Sequence, residues 1–276
     1  MTIYHATAIT PIHHGDGTSG NTSLLRTEEV ILPDGRQARV PFISGNSIRH
    51  TIREALAWHT AKTLEFEEQS LPKPVIDLLW TGGAVTTSGA NIDLELSRKV
   101  EKYYPPLALL GYAALSDIVT GQLEVTHLQL VCKENAWRYP DSHPFTEISQ
   151  ANFRGEEFGT RHDIQGSAVD RFLEYATATP TTQMIYELQT IKPGAVLWGE
   201  IRLKHGASPV MEKMLSAALT LTAPEGYLGV GAKNAVGFGQ IKIDGWKADH
   251  EAVEWFTNHL RENKDDIATL LKELGK

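Results

Sequence analysis

The chain has 276 residues, which is long for one compact core and short for two typical domains. Its 41% hydrophobic and 22% charged residues are ordinary for a globular protein, and no apolar run approaches the roughly 20 residues of a membrane span. A single cysteine, Cys132, excludes an internal disulfide or a cysteine metal cluster, and a net charge of -8 excludes a uniformly basic surface.

In chain order, residues 3–12 read as a β-strand that runs into a glycine-rich loop over 13–20. The opening Met1–His5 has no basic segment followed by an apolar stretch, so a cytoplasmic protein is expected. Residues 24–43 read as a β-hairpin: Leu24-Leu25 leads in, Pro33-Asp34-Gly35 turns, and 38–43 returns. The clearest helix start follows at Ser44-Gly45-Asn46-Ser47, with Ile48, Ile52, Ala55, Leu56 and His59 at helical spacing. Residues 64–120, broken by Pro72, Pro74, Gly82-Gly83, Gly89 and Pro105-Pro106, read as an irregular insertion. Residues 121–132 read as a strand whose apolar phase shifts between Leu123/Val125 and Leu128/Leu130, which predicts a bulge or bend. A second, polar insertion spans 134–182.

A further hairpin is expected over 184–203, turning at Lys192-Pro193-Gly194-Ala195. The next helix has Ser208 as its cap, Pro209 at its first position and a stripe of Met211, Met214, Leu215, Ala218 and Leu219. Glycine-rich residues 226–239 lead into the strand 240–243, and one amphipathic helix closes the chain over about 250–274. Without the insertions the order is strand, helix, strand, strand, helix, strand. This is an α+β chain with a ferredoxin-like (RRM-like) βαββαβ core, a topology that RNA-binding modules share with many unrelated proteins.

Three segments carry possible chemistry. In Phe42–Arg53 a helix N-terminus with free amides meets Arg49 and Arg53, four residues apart on one face, and Gly45 permits close approach. This makes a candidate phosphate cradle; the same residues would also serve as a capped helix with two solvated arginines. In 226–239 the order helix, glycines, strand is the reverse of a Rossmann or P-loop site. That leaves a loop whose amides and Lys233 follow a nucleic-acid backbone, or a turn required for packing. His13-His14-Gly15-Asp16 offers an RNA contact, a structural pair or a catalytic base, while adjacent histidines point apart and chelate poorly. Met184 could wedge between bases or simply fill a core. Charge distribution permits nucleic acid at the first segment: residues 1–60 balance Arg26, Arg36, Arg39, Arg49 and Arg53 against Asp16, Glu28, Glu29, Asp34 and Glu54. The acidity sits elsewhere.

Asn21-Thr22-Ser23-Leu24-Leu25-Arg26, followed by Pro41–Arg49 and then by a Gly-x-Gly…Gly-Phe-Gly segment, resembles the RAMP superfamily of CRISPR-associated proteins. The wording is closest to its backbone (Cas-seven) family, with the type IV branch nearest. The resemblance covers about half of the chain. It implies one right-hand-shaped domain with its core at about 1–63, 121–133 and 183–247, a finger-like insertion at 64–120, a thumb-like one at 134–182, and a C-terminal helix at 248–276. It implies a subunit that polymerises head to tail along guide RNA (crRNA) beside other CRISPR effector subunits, with target DNA or RNA recruited by base pairing. No cofactor, no metal and no membrane partner is implied. RNA contacts would come from His13, His14, Arg26, Ser44, Gly45, Asn46, Ser47, Arg49, Arg53, Arg161, Met184, Gly231, Lys233 and Asn234. Target-RNA-cleaving members carry an aspartate before the hairpin where this chain reads Asn21-Thr22, so a non-catalytic subunit is expected. The rivals are a metal-independent endoribonuclease that uses His13 or His14 on guide precursor, and a ferredoxin-like domain with no nucleic-acid role.

Overall fold

The computed structural model describes residues 2–85, 93–161 and 184–276. Chain order begins with β1 (Thr2–Ala8), a hairpin of β2 (Gly15–Ser19) and β3 (Thr22–Leu25), and a second hairpin of β4 (Thr27–Ile31) and β5 (Gln37–Ile43). Helix α1 (Gly45–Thr63) follows, then α2 (Lys73–Trp80), α3 (Leu94–Tyr103) and α4 (Pro105–Leu110). A small hairpin, β6 (Gly111–Ala114) with β7 (Asp117–Thr120), leads to β8 (Leu123–Val125) and β9 (Leu128–Leu130). After 3-10 turns come β10 (Arg154–Arg161), β11 (Met184–Ile191), β12 (Val196–Leu203), α5 (Pro209–Thr222), β13 (Tyr227–Gly229), β14 (Gln240–Ile243), α6 (His250–Glu262) and α7 (Lys264–Leu274).

The main sheet runs β13-β14-β1-β12-β9-β5-β4, with β8 beside β12. Its centre, β14-β1-β12-β9, is antiparallel throughout. In chain order these four, with α1 and α5, are β1-α1-β9-β12-α5-β14, so the spatial order is fourth, first, third, second. That is the ferredoxin-like unit. Ile48, Ile52 and Leu56 of α1, Met211, Met214 and Ala218 of α5, and Ala6, Leu197 and Ile241 of the sheet bury their side chains in one core. The opposite face carries His5, Trp198 and Gln129, which sit side by side across the ladders. Residues 133–153 lie over it: Tyr139 packs edge-on to His5 and Trp198 at 5.7 and 5.8 Å, and Arg138 bonds Glu28, Gln129 and Asn135. An RRM stacks bases on that face; here protein occupies it.

Several expectations change. Residues 15–19 of the expected loop form β2, and Leu24-Leu25 belongs to β3 in the second sheet, β10-β11-β3-β2, rather than to the β4–β5 hairpin. The prolines expected to break residues 64–120 instead open helices, because the first turn needs no proline N–H. Strands β11 and β12 do not form the expected hairpin: β11 pairs with β10 and β3, whereas β12 pairs with β1, β8 and β9. The turn at 192–195 is a corner between sheets, pinned by Gly194 N–H to Ala8 O at 2.7 Å and by Ala8 N–H to Ala195 O at 2.8 Å. The single C-terminal helix is two, separated at Asn263. The phase shift in 121–132 is a real break between β8 and β9 at Thr126-His127.

Candidate nucleic-acid interface

Three segments far apart in sequence meet at the N-terminus of α1. Ala232 donates to His13 O at 2.8 Å and Gly239 to Pro11 O at 2.8 Å, which lays the glycine-rich loop against residues 11–14. The next residue, His14, reaches Ser44. The contact between loop and histidines is close enough that a Cβ on Gly231 would lie 2.4 Å from His13 O, and its φ of +70° is one that glycine adopts freely.

The two histidines are buried and structural in their hydrogen bonding. His13 Nδ1 is 2.8 Å from Gln189 O, and His14 Nε2 accepts from Ser44 N–H at 3.2 Å. His127, which sits at the break between β8 and β9, accepts from Gly45 N–H through Nδ1 at 3.0 Å. The Phe42 ring orients both imidazoles, stacking on His127 at 4.6 Å and meeting His14 edge-on at 6.3 Å. Ser44 Oγ accepts from Ser47 N–H at 3.2 Å. The Ser44, Gly45 and Ser47 amides at this end of the helix are thus occupied by two imidazoles and a hydroxyl. Burial, reinforced by Arg26, His13 and His127 and opposed by Asp16, lowers His14 to about 4.

Gly45 is not open to a ligand. A Cβ there would lie 2.4 Å from Val125 O and 2.9 Å from Thr126 O, so glycine is required by the passing β8–β9 backbone. Arg49 and Arg53 do not form a solvated pair either. Arg49 donates to Leu123 O and Leu110 O, and Arg53 donates to Gly111 O at 2.8 Å and Leu110 O at 3.3 Å. Leu110 ends α4, so the guanidiniums satisfy carbonyls that a helix C-terminus leaves open. Burial first, and then Arg49, lowers Arg53 to about 10. The two arginine corrections have one cause: the charged tips fold back onto α4, which spacing along α1 does not reveal. Arg53→Ala should therefore cost about 2 kcal/mol by leaving Gly111 O unpaired while Leu110 O keeps its bond from Arg49. Denaturant unfolding would read this loss; an unchanged midpoint would refute the anchoring role.

Around this framework the outer groups are polar. Asn46 is exposed, Ser47 is half-buried, and Lys233 is exposed on the loop. Arg26 is held beside Asp16 at 3.2 Å, and its amide donates to His14 O at 2.7 Å. Asn234 is exposed, and its side-chain amide folds over the loop, where its nitrogen, in the orientation its neighbours require, donates to Val230 O at 3.2 Å and Phe238 O at 3.3 Å. Arg161 and Met184 pair at the end of the β10–β11 ladder, but their side chains, with residues 162–182 of the expected thumb, lie outside the described residues. His127, Phe42 and Gln189 were missed as participants. Only His127 left a trace in sequence, at the centre of the apolar phase shift.

Among the described residues no group of three or more His, Cys, Asp or Glu side chains could hold a metal ion, and no helix is long and apolar enough to cross a membrane. No curated protein matches the chain by sequence. Among solved structures, a chain described as "Type IV-B CRISPR Complex" is similar in fold, with a TM-score of 0.57 and 20% identity over 90% of this chain and 92% of that one. The family model described as the RAMP superfamily matches residues 5–242, which runs from within β1 to within β14 and takes in α1, α5 and all three segments of the interface. The chain therefore belongs to the RAMP superfamily.

Proposed function

We propose that this chain is a non-catalytic backbone subunit of a CRISPR ribonucleoprotein, binding guide RNA through its phosphates and lining up with further copies of itself head to tail. The observation that carries the reading is the convergence of residues 11–16, 44–47 and 231–239 on one surface of a RAMP-family chain. The similarity of fold to a chain of a Type IV-B CRISPR complex supports it.

Within that surface Asn46, Ser47, Lys233 and Arg26 are the groups that would touch RNA. His13, His14, Ser44, Gly45 and Gly231 would shape the surface from beneath, Asn234 would brace the glycine-rich loop, and Arg49 and Arg53 would hold α1 to α4. Phosphate contacts carry no sequence information, so specificity would come from guide–target pairing. The covered sheet face fits this division, because base stacking in the RRM manner has no platform there. Residues 134–182 would supply the thumb-like element and 64–120 the finger-like one.

The absence of catalysis is argued from the histidines. A general base must reach its proton, yet His13 and His14 are buried and spend a ring nitrogen each on Gln189 O and Ser44 N–H. Asn21 and Thr22 engage Glu187: Asn21 O accepts from its amide at 3.0 Å, and Thr22 Oγ1 donates to its carboxylate at 2.8 Å.

The test is to express the protein with a CRISPR array, purify it at moderate salt, and sequence the RNA that accompanies it. Guide-length RNA in large particles is expected. Binding should weaken with salt, with Lys233→Ala lowering the slope of log K against log salt by about 0.7. Affinity indifferent to salt, or repeat RNA cut by the wild type and spared by His14→Ala, would overturn the reading.

A further inference from the structure

Lys233 adopts φ +65° and ψ +28°, the left-handed conformation. Three glycines of the same loop, Gly231, Gly237 and Gly239, also have positive φ, so the loop has glycine wherever its backbone needs it except at position 233. Glycine there would remove the strain; a lysine kept at such a position points to a use for its side chain. The backbone around it is fixed from both sides. Ala232 bonds His13 O at 2.8 Å, and Lys233 O accepts from Val236 at 3.0 Å and Phe238 at 3.3 Å.

The side chain has a specific partner. Lys233 Nζ stands over the Tyr186 ring, 4.8 Å from its centre. Tyr186 lies on β11 directly opposite Gly159 of β10, and a Cβ at 159 would come within 2.2 Å of the ring carbon Cζ. The ring therefore occupies the space that any other residue at 159 would fill. Gly159, Tyr186 and Lys233 form one stack bridging the second sheet and the glycine-rich loop.

We propose that Tyr186 is a positioning residue for RNA binding: seated on Gly159, it pre-orders the ammonium of Lys233 for a backbone phosphate. This rests on the RNA-binding reading given above. The chemistry favours such a device because a lysine ammonium is a point charge on a flexible four-carbon stem, and ordering that stem opposes binding. A ring face attracts the cation without neutralising it, so the charge remains available to a phosphate. A carboxylate in the same place would compete with the ligand.

The test uses the full chain and a fluorescein-labelled, single-stranded RNA of mixed sequence, with anisotropy read from about 50 to about 200 mM salt. Tyr186→Leu should weaken binding about two- to fivefold, the scale of an exposed cation–π contact. Its salt slope should stay that of the wild type, because the lysine still reaches the phosphate. Lys233→Ala should lower the slope by about 0.7, and adding Tyr186→Leu to it should change nothing more. Tyr186→Phe should bind like the wild type. An equal loss from Tyr186→Leu in the Lys233→Ala background would make the ring a structural element only and overturn the proposal, as would no loss at all. If Tyr186→Leu does not fold, NMR of the wild type decides: the Lys233 ε-methylene protons should be shifted upfield by the ring and move on adding RNA, whereas random-coil positions overturn the proposal. Wild type that binds no RNA at low salt overturns the RNA-binding reading as well; binding indifferent to Tyr186 overturns only the clamp.

Discussion

Gly45→Ala is expected to destabilise the protein by about 3 kcal/mol or more, at the upper end of what single substitutions usually cost. Alanine is the best helix former, and replacing a glycine inside a helix ordinarily gains about 1 kcal/mol. Here the sign reverses. Gly45 is the first residue of α1, and the β8–β9 backbone crosses so close that a methyl group would stand 2.4 Å from Val125 O. Neither partner gives easily: β8 is tied into β12 through Val125 opposite Ile201, and Thr126 N–H bonds Glu200 O at 3.0 Å. Any retreat would also pull His127 from the Gly45 amide. Denaturant unfolding of the two proteins checks this; an alanine variant as stable as the wild type would mean that the strand break does not lie against α1.

The second large effect is with pH. His14 titrates at about 4 in the folded protein against an ordinary 6.5, with burial as the main cause. Above 6.5 the ring is neutral in both states and the stabilising contact with Ser44 N–H is whole. As pH falls from 6.5 towards 4 the unfolded chain takes up a proton that the folded chain refuses, so stability declines; below about 4 both are protonated and this loss is complete. The difference corresponds to about 3 kcal/mol. Other groups titrate in the same window, and the comparison with His14→Gln separates them. Glutamine can accept from Ser44 N–H and takes up no proton in this range, so its unfolding free energy should fall about 3 kcal/mol less between pH 6.5 and 4. Parallel curves for the two proteins would refute the assignment to His14.

The parts of this molecule that were readable in sequence are those encoded locally. The start of α1 follows from Ser44 and Ser47 with the spacing of Ile48, Ile52 and Leu56, and the cap bond forms as those residues dictate. The break near Thr126 follows from a change in which alternate residues are apolar. What was hidden depends on distant partners. Nothing in the pattern of β11 and β12 announces that a four-residue turn carries the chain from one sheet to another, because a corner and a hairpin use the same turn residues. The arginines read as open to a phosphate or to solvent because the carbonyls they serve lie some sixty residues on, at the end of a six-residue helix that the prolines concealed. Phe42 read only as part of the strand that leads into α1, and its ring proves to be what two imidazoles are set against.

The imidazole caps of α1 have an electrostatic consequence. Capping by aspartate would have cancelled the partial positive charge at the start of the helix, about half an elementary charge. His14 and His127 accept from Ser44 and Gly45 through ring nitrogens that carry no proton, and the first turn of α1 contains no acidic residue. The Ser44 and Gly45 amides are satisfied, yet the potential at this end of the helix is left standing. It reaches outward beside Asn46 as a weak, permanent attraction for anions, on a chain whose net charge is -8.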